Sequence, residues 1–116
     1  MPGFEPFDAV TLPFPFADRN DAVVHPALVL TGHAAFGAHS GVALVAMITS
    51  ARNSDWPFDV AIADLASAGL KMPWLVRAKL NAVDLALIAR KIGTLGAEDR
   101  RGVGAALRGV LAGALG

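Results

Sequence analysis

Two dense apolar runs constrain the fold of this chain more than any other feature. They cover residues 27–30 and 42–48, and a Gly-rich turn separates them. Each run has the length of a strand and is too short for a typical helix. Val, Leu and Ile occupy positions of both parities, so both predicted strands should be covered on both faces. If they pair as antiparallel neighbours, His25 and Thr49 come to the same end of the sheet. Polar side chains at the rim of a rigid sheet are well placed to form a reactive site.

Length and composition exclude several classes of protein. We expect residues 1–116 to form one domain, and 54% hydrophobic residues are enough for a substantial core. Ten basic residues balance ten acidic ones, which argues against a strongly basic nucleic-acid-binding domain. The absence of cysteine excludes disulfides, thiolate zinc sites and cysteine nucleophiles. The sequence shows no membrane-spanning run and no signal-like start, so we expect a soluble cytoplasmic protein without a membrane partner.

The remaining sequence predicts further short strands and a closing helix. The predicted strands cover residues 8–12, 58–62, 74–81 and 89–95, with one helical turn at 64–69, a tight corner at 83–87 and a helix from 97 onward. The helix is predicted from a stripe at i, i+4, i+7, i+8 and i+11, formed by Val103, Leu107, Val110, Leu111 and Ala114. Short strands with one closing helix predict a small curled antiparallel sheet or a half-open barrel.

Two segments admit both a structural and a functional interpretation. Residues 13–21 form a Pro-containing loop with Arg19 at its charged tip, which either closes one end of the core or acts as a flap over a site. The predicted strand 74–81 places Arg77 and Lys79 on one face. That face is either an ordinary solvated surface or the rim of an anion-binding groove.

The sequence contains no common catalytic motif, and its three histidines are scattered. His33 and His39 flank a Gly/Ala loop, where we expect them to be exposed, and a metal site made from them would need further ligands that do not stand out. We therefore expect no metal and no other cofactor. His25 precedes Pro26, which favours extended backbone, and it is either a structural residue at a strand end or a functional one.

Seven segments carry a family resemblance that covers nearly the whole chain. They are P-F-P-F-A-D-R, H-P-A-L-V-L, V-A-M-I-T-S-A-R, W-P-F-D-V, L-V-R-A-K-L, V-D and R-K-I-G-T-L, in this order. The series resembles the MazF/PemK family of toxins from bacterial toxin–antitoxin pairs. The resemblance implies an SH3-like, partly open antiparallel β-barrel with a C-terminal helix, and a homodimer. It also implies a sequence-selective endoribonuclease of single-stranded RNA, neutralised by a cognate antitoxin that covers the RNA groove.

The resemblance also assigns residues. The family's catalytic arginine, which precedes a proline, corresponds to His25, and the family's Thr or Ser at the end of the I-T strand corresponds to Thr49. Asp8 matches the acidic residue that opens the family's first strand. His25 and Thr49 are thus the predicted catalytic residues. The predicted RNA-binding residues are Arg19, Ser50, Arg52, Arg77 and Lys79.

The replacement of arginine by His25 leaves two functional hypotheses open. Attack of a ribose 2′-hydroxyl on the neighbouring phosphate needs a base, an acid and a cation, and it requires no metal. Histidine transfers protons near neutral pH but is a weaker permanent charge than arginine. The first hypothesis is therefore a nuclease, which is either rewired to use His25 for proton transfer or weakened by the loss of the arginine. The second hypothesis is a non-catalytic homologue that binds a protein, either the antitoxin or a gyrase-like target.

Overall fold

The computed structural model describes residues 3–14, 23–50 and 56–116 and contains one six-stranded antiparallel sheet. The strands are β1 (Asp8–Phe14), β2 (Val23–Val29), β3 (Val42–Ser50), β4 (Val60–Ala61), β5 (Trp74–Asp84) and β6 (Arg90–Thr94). Their order across the sheet is β4-β5-β3-β2-β1-β6. The sheet curls into a half-barrel and is followed by a C-terminal helix, which confirms the predicted SH3-like fold class.

The helical elements are short except for one. A π-helical turn (His33–Gly37) leads into α1 (Ala38–Ser40), and a 3-10 turn (Leu85–Leu87) separates β5 from β6. The long helix α2 (Ala97–Val110) is followed by α3 (Ala112–Leu115). In the part of the chain that the structure describes, no helix is long and apolar enough to span a membrane.

The central strands are buried on both faces, as the two apolar runs predict. Leu28 of β2 and Ile48 of β3 belong to a core cluster that includes Val103 of α2. Ala27 and Val45 of the same two strands belong to a second cluster on the opposite face. Strand alternation therefore sends successive side chains of β2 and β3 into two different cores.

Strands β1 and β2 extend further than the sequence indicates, and both extensions contain a proline. β1 continues through Pro13 and Phe14, and β2 already begins at Val23, so that His25 and Pro26 lie inside a strand. Pro13 and Pro26 are tolerated because each lies at a position where its strand is no longer hydrogen-bonded to the neighbouring strand on one side. The β1–β6 register ends at Thr11, and the β2–β3 register ends at Ala27. Most of the predicted loop 13–21 lies outside the described residues.

Two predicted elements are shorter or less regular than expected. The strand predicted at 58–62 is only Val60–Ala61, because Phe58 has a φ of 64° and cannot continue an extended strand. The segment 64–69 is a hydrogen-bonded turn and not a helix. Its predicted ends are nevertheless correct: the Asp64 carboxylate accepts the Ser67 amide, and Gly69 has a φ of 75°. Hydrogen bonds from Ser67 also lower the pKa of Asp64.

The helix is attached to the sheet through a buried carboxylate near its start. Asp99 accepts the backbone amides of Ala63 and Asp64 at 2.8 and 2.9 Å. Only the first half of the predicted apolar stripe joins the core: Val103 is buried and Leu107 half-buried, whereas Val110 is exposed. Asp99 thus fixes the end of α2 that carries the buried side chains.

The first and last strands are joined by a second buried carboxylate. Asp8 accepts the amide of Glu5 at 2.8 Å and the hydroxyl of Thr94 at 3.2 Å, and the Lys91 ammonium lies 3.2 Å from it. The residue that matches the family's first-strand acid is therefore used to hold β1 against β6.

We predict that Asp99→Ala lowers the free energy of unfolding by about 1–3 kcal/mol, because two charge-assisted hydrogen bonds are lost. The matched control is Glu98→Ala, which removes an exposed carboxylate from the same helical turn. Glu98→Ala should cost less than about 0.5 kcal/mol. Urea unfolding followed by circular dichroism measures both, and equal losses would show that Asp99 acts only through the helix dipole.

Candidate functional site

A groove opens where strands β2 and β3 separate. Their register runs Ala27↔Met47, Leu28↔Ala46 and Val29↔Val45, and among the described residues it is not continued to His25. Pro26 has no amide hydrogen, so it cannot extend this ladder. The side chains of His25 and Thr49, which the register places level with each other, therefore border an opening.

The groove has a volume of about 110 Å³ and is lined by His25, Met47, Thr49, Arg77 and Lys79. Three neighbouring strands supply these residues: β2 one, and β3 and β5 two each. The five positions combine an imidazole, a hydroxyl and two cations, and none is acidic. This set of groups suits an anionic ligand that exchanges a proton.

His25 is held by its own strand and by an aromatic neighbour. Its Nδ1 lies 3.1 Å from the carbonyl oxygen of Pro26, and its ring meets Trp74 edge-to-face at a centroid distance of 6.4 Å. A carbonyl oxygen only accepts, so Nδ1 must donate in this hydrogen bond. In the neutral ring the proton then lies on Nδ1, and Nε2 carries the lone pair that a general base requires.

Arg77 is oriented by a carboxylate that the sequence analysis did not single out. Its Nε and Nη2 donate to the two carboxylate oxygens of Asp59 at 3.1 and 2.8 Å, and the two side chains are 14% and 15% exposed. These hydrogen bonds raise the pKa of Arg77 further above its usual value. The bidentate contact fixes the guanidinium plane at the groove.

Trp56 contributes an aromatic wall beside both cations. The guanidinium carbon of Arg77 lies 5.4 Å from the centre of its ring, and the Lys79 ammonium lies 5.9 Å from it. Both distances are within the range of cation–π contacts. Arg77 and Lys79 therefore lie side by side at the groove, next to an aromatic ring.

The structure brings together four of the seven residues predicted from the sequence. His25, Thr49, Arg77 and Lys79 line one groove. Ser50 is half-buried at the end of β3 opposite Trp74, and strand alternation places it on the other face from Thr49. Arg19 and Arg52 lie outside the described residues. Asp59 and Trp56 were missed, although both belong to the W-P-F-D-V segment, where an acid and an aromatic residue precede a short strand.

A larger cavity lies at the other end of β3. It has a volume of about 290 Å³ and is lined by Gly3, Phe4, His33, Gly37, Ala38, Gly41 and Leu85. The prediction that His33 is exposed is wrong: its ring is half-buried against Gly3 and Gly37, because both glycines leave room for it. Within residues 3–14, 23–50 and 56–116, no three His, Asp or Glu side chains are grouped so that they could hold a metal ion.

The fold and the groove together define a half-barrel protein with a cationic, histidine-containing cleft. The family of PemK-like, MazF-like toxins of type II toxin–antitoxin systems matches residues 5–111. The chain therefore belongs to this family. A comparison with curated protein sequences gives no significant match.

Solved structures share the fold at low sequence identity. MazF from Deinococcus radiodurans is 24% identical, with a TM-score of 0.72 over 97% of this chain and 99% of that chain. Mycobacterium tuberculosis toxin MazF-mt6 is 21% identical, with a TM-score of 0.68 over 88% and 93%. A mycobacterial endoribonuclease in complex with its cognate antitoxin is 14% identical, with a TM-score of 0.72 over 97% and 96%.

We predict that neutral His25 carries its proton on Nδ1, because that nitrogen donates to the carbonyl oxygen of Pro26. Two-dimensional ¹⁵N NMR of the imidazole rings at high pH measures this directly. His39 is exposed and serves as the control for a ring with the preference found in solution. A His25 spectrum with the proton on Nε2 would contradict the assignment of Nε2 as the basic nitrogen.

Proposed function

We propose that this protein is the toxin of a toxin–antitoxin pair and acts as a metal-independent, sequence-selective endoribonuclease on single-stranded RNA. The observation that carries the proposal is the groove in which His25, Thr49, Arg77 and Lys79 converge. Membership of the PemK-like, MazF-like toxin family supports it. So does the similarity in fold to mycobacterial proteins that are named endoribonucleases.

In the proposed reaction, the 2′-oxygen of a ribose attacks the adjacent phosphorus and the 5′-oxygen of the next nucleotide leaves. His25 Nε2 takes the proton of the 2′-hydroxyl, and the leaving oxygen takes up a proton from the imidazolium or from water. The products are a 2′,3′-cyclic phosphate and a free 5′-hydroxyl. No step needs a metal ion, since the base and the charge stabilisation come from side chains.

The other groove residues would stabilise the charge that accumulates on the phosphate. Thr49 offers a hydroxyl donor, and Arg77 and Lys79 offer positive charge on the same side of the sheet. Because Asp59 holds the Arg77 guanidinium in a fixed plane, that charge is already oriented before RNA binds. Arg19, Ser50 and Arg52 are proposed as further RNA contacts from the sequence alone.

A second candidate function is favoured by one specific observation, the histidine at the position of the family's catalytic arginine. In this alternative the protein is a catalytically weakened toxin that acts by binding a protein, either its antitoxin or a gyrase-like target. The groove would then be a docking site for acidic side chains and not for RNA.

We further propose that the protein is a cytoplasmic homodimer with a cognate antitoxin. Structures of similar fold include a mycobacterial endoribonuclease bound to its cognate antitoxin and MazE–MazF complexes from Deinococcus radiodurans. An acidic antitoxin segment would compete with RNA for the groove cations.

We predict that His25→Ala lowers the rate of RNA cleavage by roughly 10²–10⁴-fold, the usual contribution of one general acid or base. The measurement is cleavage of a fluorogenic RNA in the presence of EDTA, which should leave the wild-type rate unchanged. His39→Ala is the control, because His39 is exposed and is not among the groove residues. Equal rates for wild type and His25→Ala would remove His25 from the mechanism.

The substitution His25→Arg separates the two functions. In a nuclease that uses His25 as its base, the arginine deletes the proton carrier and should lower cleavage. In a weakened toxin, it restores the family's charge and should raise both cleavage and growth inhibition. We expect the decrease, because the hydrogen bond to Pro26 orients Nε2 as a base. An increase would favour the protein-binding alternative for the natural chain.

Phosphate binding should also be visible in the salt dependence of RNA affinity. We predict that Arg77→Gln reduces the slope of log Kd against log salt by about 0.7, the value for one phosphate contact on a single strand. Asp59→Asn should increase the slope, because the Arg77 charge loses its counterion. Arg108→Gln, on the exposed side of α2, is the control. An Arg77→Gln slope equal to that of the control would exclude Arg77 from phosphate binding.

A further inference from the structure

Trp56 is a large aromatic side chain that the fold leaves in contact with solvent. It is 40% exposed, whereas the only other tryptophan, Trp74, is half-buried, packs beside a core cluster and contacts His25. The ring of Trp56 lies beside the Arg77 and Lys79 cations, at 5.4 and 5.9 Å from its centre. The fold therefore leaves an aromatic face accessible to solvent beside two positive charges.

The same two cations join this ring to the groove. Arg77 and Lys79 line the groove and also contact Trp56, so a phosphate held by them lies within one nucleotide of the indole. The groove volume of about 110 Å³ is small beside the roughly 300–1,000 Å³ of a typical ligand pocket. It has room for a phosphate and the edge of its sugar, so the neighbouring base must lie outside the groove.

We propose that Trp56 is the platform on which a nucleobase next to the scissile phosphate stacks. The proposal rests on the proposed function, since it takes single-stranded RNA as the ligand of the groove. Unpaired bases stack on exposed aromatic rings and on arginine planes, and the site offers one of each. Because stacking grows with the area of the π-face, a purine is preferred at this position over a pyrimidine.

Binding must be measured separately from cleavage, so the probe is a ten-nucleotide RNA with 2′-O-methyl groups, which cannot be cleaved by 2′-hydroxyl attack. Three versions are compared: oligo-A, oligo-U and an abasic strand of the same length. Trp56→Ala should raise the Kd for oligo-A roughly 5- to 100-fold, the usual effect of removing a stacking aromatic side chain. Trp56→Phe should raise it less, and the Kd for the abasic strand should be unchanged in both variants.

Phe36→Ala is the matched control. Phe36 is also an exposed aromatic residue, 43% exposed, but it lies in the helical turn before β3, at the strand end far from Thr49. The Phe36→Ala variant should bind all three RNA strands with the same Kd as the wild type. Oligo-A should also quench the tryptophan fluorescence of the wild type, and the quenching should be largely lost in Trp56→Phe, which retains Trp74.

The outcomes separate the platform from the proposed function. If wild type does not cleave RNA but Trp56→Ala weakens binding of oligo-A, the nuclease assignment fails and the platform stands. If wild type cleaves RNA and Trp56→Ala retains its KM and its affinity for oligo-A, the platform is overturned. A loss of affinity for an acidic peptide with unchanged affinity for oligo-A would also overturn it, because Trp56 would then belong to a protein-binding surface.

Discussion

The site depends on one missing hydrogen-bond donor. Pro26 cannot donate to β3, and the ladder between the two central strands ends at Ala27. Up to that point both strands are packed on two faces, so their positions are fixed by the cores. Beyond it the strands separate, and the alternation that buries Ala27 and Val45 brings His25 and Thr49 to the opening. A rigid support and an open cleft thus come from the same two strands.

The two apolar runs predicted the central strands and their burial on both faces, and the apolar stripe from Val103 onward predicted the closing helix. Strand ends were predicted less well, because sequence alone does not tell which side of a strand is unpaired. Pro13 and Pro26 lie inside strands since each lacks a partner on one side, a fact of topology rather than of local preference. Phenylalanine normally avoids positive φ. The sequence therefore does not predict the positive φ of Phe58, which shortens β4.

The groove residues were predicted from strand patterns and from the family resemblance together. Alternation placed Arg77 and Lys79 on one face, antiparallel pairing placed His25 and Thr49 at the same end of the sheet, and the resemblance assigned those two residues. Asp59 and Trp56 could not be found this way, since they come from an irregular segment whose path is set by contacts with other elements. Phe58, between them, packs against α2 at Gly109, where a larger residue would collide with its ring. The helix therefore helps to place Asp59, and through it the orientation of Arg77, although no residue of α2 lines the groove.

The pairing of β1 with β6 has a consequence for how the chain is made. Asp8 and Thr94 are joined across most of the sequence, so the outer edge of the first strand stays open until residues 90–94 have been synthesised. Pairings between such distant segments form slowly, and an open strand edge is prone to wrong associations meanwhile. The residues that line the groove, from His25 to Lys79, are therefore synthesised before strand β6, which completes the sheet.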